Sequence, residues 1–250
     1  MQITYPTPKN VLRIHLFALF ISLGMISSCG KNEDTAPVIG PDPITSDTMF
    51  NRLITVHNFG EALADGSIPT DKQDPIFFSL EQKQAVKPDY QRTTRWDISF
   101  SDIYRSFINC NHSSAGFGND GPGKGGIYLV KQKFEDVVNV PPDDVFRRGE
   151  RAYGTDDSGA FGEGLGWYLY DFGGTLKGDG SEEKKHIAYP IENHTLLVRT
   201  AKGNYAKIKI LSIYKDKLDP NTWVRSDPQP YYTFQYVLVK AGSTRFEIKP

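Results

Sequence analysis

The chain has almost no excess of charge of either sign: 29 lysines and arginines stand against 30 acidic residues, a formal net charge of −1. Nucleic acid is therefore not expected as a partner, because binding it rests on clustered Lys and Arg that neutralise phosphates. Catalytic signatures are missing as well. There is no G-x-S-x-G elbow and no H-E-x-x-H helix, and the charge runs at 155–157 and 181–185 sit among glycines as solvated loop tips would. No enzyme is expected. Histidine and cysteine are scarce, five and two. Cys110 and His112 would need two further donors to hold a metal, and no second Cys/His pair occurs, so a buried thiol beside a loop histidine is the expectation. No internal repeat of propeller or solenoid length is visible. The longest apolar run, residues 14–26, falls short of the ~20 residues that a spanning helix requires.

That run follows Lys9 and Arg13 and reads as a secretory signal over residues 1–28. Ser27 and Ser28 precede Cys29, and "ISSCG" resembles the lipobox of bacterial lipoproteins. In such proteins the cysteine becomes the lipid-bearing N-terminus, an anchor on a membrane face rather than a span. Losing Lys9 and Arg13 leaves 27 basic residues against 30 acidic, a mature charge of about −3. Residues 29–48 are polar and proline-bearing, the composition of a tether. Glu33 and Asp34 resemble surface-export signals, which points to an outer-membrane lipoprotein displayed on the cell surface. With Cys29 lipidated, Cys110 has no partner for an intramolecular disulfide. Residues 49–250 form a domain held by its hydrophobic core alone.

What is abundant is β-type sequence. Short runs rich in Ile, Val, Tyr, Phe and Thr recur between Gly, Pro, Asn and Asp: "PIFFSL", "RWDISF", "GIYLVKQ", "GWYLYDF", "TLLVRT", "YAKIKILSIY", "YYTFQYVLV". In "NYAKIKILSIY", Ala206, Ile208, Ile210, Ser212 and Tyr214 share one face and Tyr205, Lys207, Lys209, Leu211 and Ile213 the other. The fold class expected is all-β, a single domain of many short antiparallel strands with one or two short helices, at "FEDVVNV" and at "LDPNTWV" with Asp219 as cap.

One motif is a decoy. Residues 118–124, "GNDGPGK", match the first part of a phosphate loop, but Gly125 stands where a hydroxyl should hold Mg²⁺, Pro122 removes a backbone donor, and a strand follows instead of a helix. A second is aromatic. Trp167, Tyr168, Tyr170 and Phe172 form one run flanked by glycines, either a core strand or the wall of a pocket for a flat apolar ligand. Downstream, His186 adjoins Lys184 and Lys185. These are an exposed loop, or they are what haem needs: an axial donor with cations for propionates beside apolar walls.

The order of segments resembles the HmuY family of haem-binding lipoproteins. The likeness runs through "PIFFSL", "DYQRTTRWDISF", "INC…GKGG", "VNVPPD", "GWYLYDF", "LLVRTAKGNYAKIKILSIY" and "YYTFQYVLV". It implies a largely all-β domain with a ligand pocket at one end, haem as cargo, and delivery to a TonB-dependent receptor. It also implies homodimers around haem in some members. The family's axial residues are not in place. Phe172 occupies the position of one axial histidine, and residues 148–163, matching the loop of the other, contain none. Other members use methionine, and the only one here beyond the signal is Met49. Haem ligation is therefore expected from relocated residues. His186 is the first candidate ligand and Tyr153 the second, with Trp167, Tyr170 and Phe172 as walls and Lys184 and Lys185 for the propionates. His57 and His194 are expected to serve structure. The alternative is a haem-independent surface adaptor, or a module for glycan, peptide or receptor.

Overall fold

The computed structural model describes residues 47–63, 71–113, 121–146, 152–159, 162 and 164–249, all within one compact unit, Pro41–Pro250. The expected signal, Cys29 and the tether up to residue 46 lie outside the described residues, as do residues 118–120 of the phosphate-loop decoy. Among the described residues no helix is long and apolar enough to cross a membrane.

The all-β expectation holds. Among the described residues eleven strands form three antiparallel sheets. The largest has five strands in the order β1 (Leu53–Gly60), β11 (Tyr231–Val239), β10 (Tyr205–Ser212), β9 (Thr195–Arg199), β6 (Gly126–Val130). A second runs β3 (Gln84–Val86), β2 (Ile76–Ser79), β4 (Ile98–Ser101), β5 (Phe107–Cys110), and β7 (Tyr168–Asp171) pairs with β8 (Ile187–Pro190). The two larger sheets meet through aromatic rings. Phe78 of β2 lies edge-on to Phe234 of β11 at 5.3 Å, and Phe100 of β4 lies 4.2 Å from Tyr232. Such contacts add to area burial by about 0.5–1.5 kcal/mol each.

The alternation in β10 explains its two faces. Ala206, Ile208, Ile210 and Ser212 are buried in the main core. The opposite face carries Lys207 into a second cluster of Phe134, Val137, Phe146, Leu197, Val237, Val239 and Phe246. Lys207 is buried, and its ammonium donates to the carbonyls of Phe134 and Val137 at 2.7 and 2.8 Å beneath the Phe134 ring. That contact bears on the helix expected at "FEDVVNV". Those two carbonyls point at Lys207, and the segment is a turn closed by Lys133 accepting from Asp136 and Val137. At "LDPNTWV" a single 3-10 turn, Pro220–Thr222, forms, with the Asp219 carboxylate accepting from the Asn221 N–H at 3.0 Å.

The base of the β4–β5 hairpin is a polar clasp between the two larger sheets. Asp97, just before β4, accepts from the N–H groups of Leu80 at 2.7 Å and Glu81 at 3.3 Å. Its other oxygen takes the Ala201 N–H, in the β9–β10 turn, at 3.0 Å. Buried Glu81 accepts from Thr200 Oγ1 and Asn204 Nδ2 of the same turn at 2.8 and 2.7 Å. Asn111, just after β5, donates to the carbonyls of Thr93 and Trp96 and accepts from the Gly123 N–H, each at 2.8 Å. Only glycine fits at Gly125, since a Cβ there would lie 2.3 Å from the Asn111 carbonyl oxygen. Burial, and then Glu81, push Asp97 up to about 7 despite its three backbone donors.

Candidate functional site

The tip of the same hairpin is built differently. Asp102, Tyr104 and Arg105 have φ of 63°, 53° and 51°, a region that side chains other than glycine enter at a cost. The turn is held by hydrogen bonds from distant aromatic residues. Tyr232 Oη donates to the Arg105 carbonyl at 2.7 Å, Trp167 Nε1 donates to the Ser106 carbonyl at 2.8 Å, and Tyr168 Oη lies 2.9 Å from Ser106 Oγ. The result is that Tyr104 Oη sits 3.3 Å from Tyr170 Oη.

Tyr170 in turn lies 2.8 Å from Nδ1 of His186, the residue before β8. His186 also has positive φ, 63°, fixed by its N–H donating to the Asp171 carbonyl at 2.7 Å. Asp171 uses its carboxylate to close the loop between the strands, accepting from the N–H groups of Thr175, Leu176 and Lys177. Gly174, at φ 70°, packs against the Lys184 backbone, where a Cβ would come within 2.8 Å of the carbonyl carbon. Phe172 is 49 % exposed and meets the His186 ring edge to face at 4.9 Å and 85°.

The electrostatics favour the neutral imidazole. Burial first, and then the cation of Arg225, hold His186 below the usual histidine range. Burial, with the neighbouring Tyr104, raises Tyr170 and keeps its phenol protonated. A half-buried neutral imidazole, held by one nitrogen, is a ligand form for a metal.

The remaining candidates take other places. Trp167, Tyr168 and Tyr170 are buried in the main core, at 3, 3 and 5 % exposure, and Phe172 is the exposed member of the aromatic run. Tyr153 is 2 % exposed, its backbone paired in both directions with Ile108 of β5. Lys184 donates to the carbonyls of Asn221 and Trp223, both at 2.8 Å, and Lys185 is ion-paired with Glu182. His194 is buried with Nδ1 2.6 Å from the Gly166 carbonyl oxygen, and His57 is exposed on β1. His112 bridges to Lys124 beside a cavity of about 420 Å³ that Arg199 and Lys202 also line. Among the described residues no three His, Cys, Asp or Glu side chains converge as a metal site.

Sequence reasoning passed over Tyr104, Asp171 and Arg225. Tyr104 lies 66 positions from Tyr170 in a turn without a recognisable motif. The Asp171 turn had one signal, an aspartate followed by Gly173 and Gly174.

Comparison with known proteins adds the following. A family model described as HmuY protein matches residues 71–236. No curated protein matches. Three crystal structures are similar at low identity. A lipoprotein of Bacteroides fragilis NCTC 9343 is 15 % identical, covering 75 % of this chain and 89 % of its own, at a TM-score of 0.36. A HmuY-like haem-binding protein of Bacteroides vulgatus ATCC 8482 is 13 % identical, covering 78 % and 95 %, at 0.38. The apo HmuY analogue of Tannerella forsythia is 12 % identical, covering 74 % and 97 %, at 0.33.

Proposed function

Since the chain belongs to the HmuY family, we propose that it is a haem carrier that captures the macrocycle reversibly at the His186 loop, as a binding protein and not an enzyme. The observation that carries this reading is the half-buried imidazole of His186, tied through Nδ1 to Tyr170 and packed against the exposed Phe172. Nε2 of His186 would hold the iron, and Phe172 would cover part of the macrocycle, removing apolar surface from water. Lys184 and Lys185 are committed to carbonyls and to Glu182, so Arg225 serves a propionate in their place. The described residues supply one iron donor here. Tyr153 would have to leave the core to act as a second.

The same proposal includes export by residues 1–28, a lipid on Cys29 and a tether over 29–48. It places the domain on the outer face of the outer membrane, delivering haem to a TonB-dependent receptor, with two copies able to pair around the ligand. The lipobox and the family support these parts.

Haemin titrated into the chain from residue 30 onward gives a saturable, red-shifted Soret band that weakens at least tenfold in affinity in His186→Ala. A flat titration with ferric and ferrous haem overturns the carrier reading and favours a haem-independent adaptor. A band that survives His186→Ala and fails in Tyr153→Phe moves the iron donor to Tyr153.

A further inference from the structure

We propose that Tyr170 is the positioning residue of this site: a hydrogen-bonded chain from Tyr104 through Tyr170 to His186 fixes the imidazole and sets which ring nitrogen carries the proton. The identity of the bound metal centre rests on the carrier reading above, whereas the chain itself does not.

The oxygens and nitrogen of this chain are 3.3 and 2.8 Å apart in sequence, Tyr104 Oη to Tyr170 Oη to His186 Nδ1. A phenol carries one proton, so the chain has two polarities. In one, Tyr104 donates to Tyr170 and Tyr170 donates to Nδ1, which leaves the imidazole proton on Nε2. In the other, Nδ1–H donates to Tyr170, Tyr170 donates to Tyr104, and Nε2 presents a lone pair. Only the second can coordinate a metal. Both keep the same two hydrogen bonds, so passing from one to the other sacrifices no contact within the chain.

Three further observations mark the arrangement as constructed. Both ends stand on positive-φ backbone, Tyr104 at 53° and His186 at 63°, strain that persists only where the surroundings over-determine it. The Phe172 ring, edge to face at 4.9 Å, limits rotation of the imidazole. Nε2 of His186 has no protein partner among the described residues, while Nδ1 is engaged. A phenol O–H is a stronger donor than a neutral imidazole N–H, and an imidazole nitrogen a stronger acceptor than a phenol oxygen, so on this proposal the free protein rests in the first polarity and the metal-binding form in the second.

The test reads the free protein first. In ¹⁵N-labelled chain from residue 30 onward, which retains the whole compact unit, long-range nitrogen–proton correlation shows His186 as a single tautomer protonated on Nε2. Tyr170→Phe gives a mixture of the two tautomers, and Tyr104→Phe gives a smaller change. Haemin is then the probe for binding. Tyr170→Phe lowers its affinity about ten- to a hundredfold, the usual effect of losing an outer partner of a metal-bound histidine, while circular dichroism confirms the fold. Identical tautomers in wild type and Tyr170→Phe overturn the proposal, whatever haemin does. A tautomer change in Tyr170→Phe without haemin binding to the wild type upholds the positioning role and sinks the carrier reading instead.

Discussion

At the base of the β4–β5 hairpin both oxygens of Asp97 are saturated by donors, whereas at its tip three of four residues from Asp102 to Arg105 are held in a strained conformation by other strands. The base joins two sheets through turns drawn tight by hydrogen bonds to buried side chains. The tip delivers a single hydroxyl to a histidine. One end of the hairpin stores stability and the other spends backbone strain on placing chemistry, which is the usual division between a scaffold and a site.

Breaking the base has the largest effect. Asp97→Ala strips the acceptor from the N–H groups of Leu80, Glu81 and Ala201, and three buried orphaned donors cost on the order of 5 kcal/mol. Urea unfolding measures the loss. A change below about 1 kcal/mol would show that the clasp does not hold the sheets together.

The base also makes stability depend on pH. Asp97 is raised to about 7 in the fold from 3.8 when free, so the native state favours its protonated form. That contribution is complete below about pH 4 and is lost as pH rises through about 7, at most about 4 kcal/mol. The domain is accordingly more resistant to urea at pH 5 than at pH 8, after subtraction of the Asp97→Asn profile. A slope that Asp97→Asn leaves unchanged would assign the dependence to another group.

The same contrast explains what was legible. Four of the segments that carry the family resemblance meet at the base: Asp97 from "RWDISF", Asn111 after "INC", Gly123 and Gly125 from "GKGG", and Thr200, Ala201 and Asn204 from "RTAKGNY". Backbone satisfaction constrains residue type at fixed spacing, so such segments are readable in order. The strands were readable too, because burial on alternate positions of β10 follows from the period of the pleat. The tip leaves no comparable trace. Trp167, Tyr168 and Tyr170 read equally as core or pocket wall, and the packing of β7 against the tip decides for the core. Lys184 and Lys185 read as free cations, and two carbonyls near Trp223, 39 positions on, together with Glu182 absorb them.

On the tip side, Gly174→Ala tests the loop without touching the clasp. A methyl at φ 70° and within 2.8 Å of the Lys184 carbonyl carbon costs about 2 kcal/mol. Hydrogen exchange locates the loss in residues 172–186, and haemin affinity falls with it because His186 shifts. Loosened exchange at the β9–β10 turn as well would mean that base and tip are one cooperative unit.

The smallest effect isolates the strain itself. His186→Ala and His186→Gly both remove the imidazole, its hydrogen bond to Tyr170 and its contact with Phe172, so their difference reports only the backbone at φ 63°. Glycine enters that region without the penalty a Cβ brings, and His186→Gly should exceed His186→Ala in stability by about 1 kcal/mol. At Gln84, exposed on β3 and outside the positive-φ set, the same pair should reverse sign, with Gly less stable by about 0.5–1 kcal/mol. Both His186 variants lose haemin equally, because the donor is gone from each. If Gly is less stable than Ala at position 186 by as much as at Gln84, the left-handed backbone carries no strain there, and the placement of His186 follows from its contacts with Asp171 and Tyr170 alone.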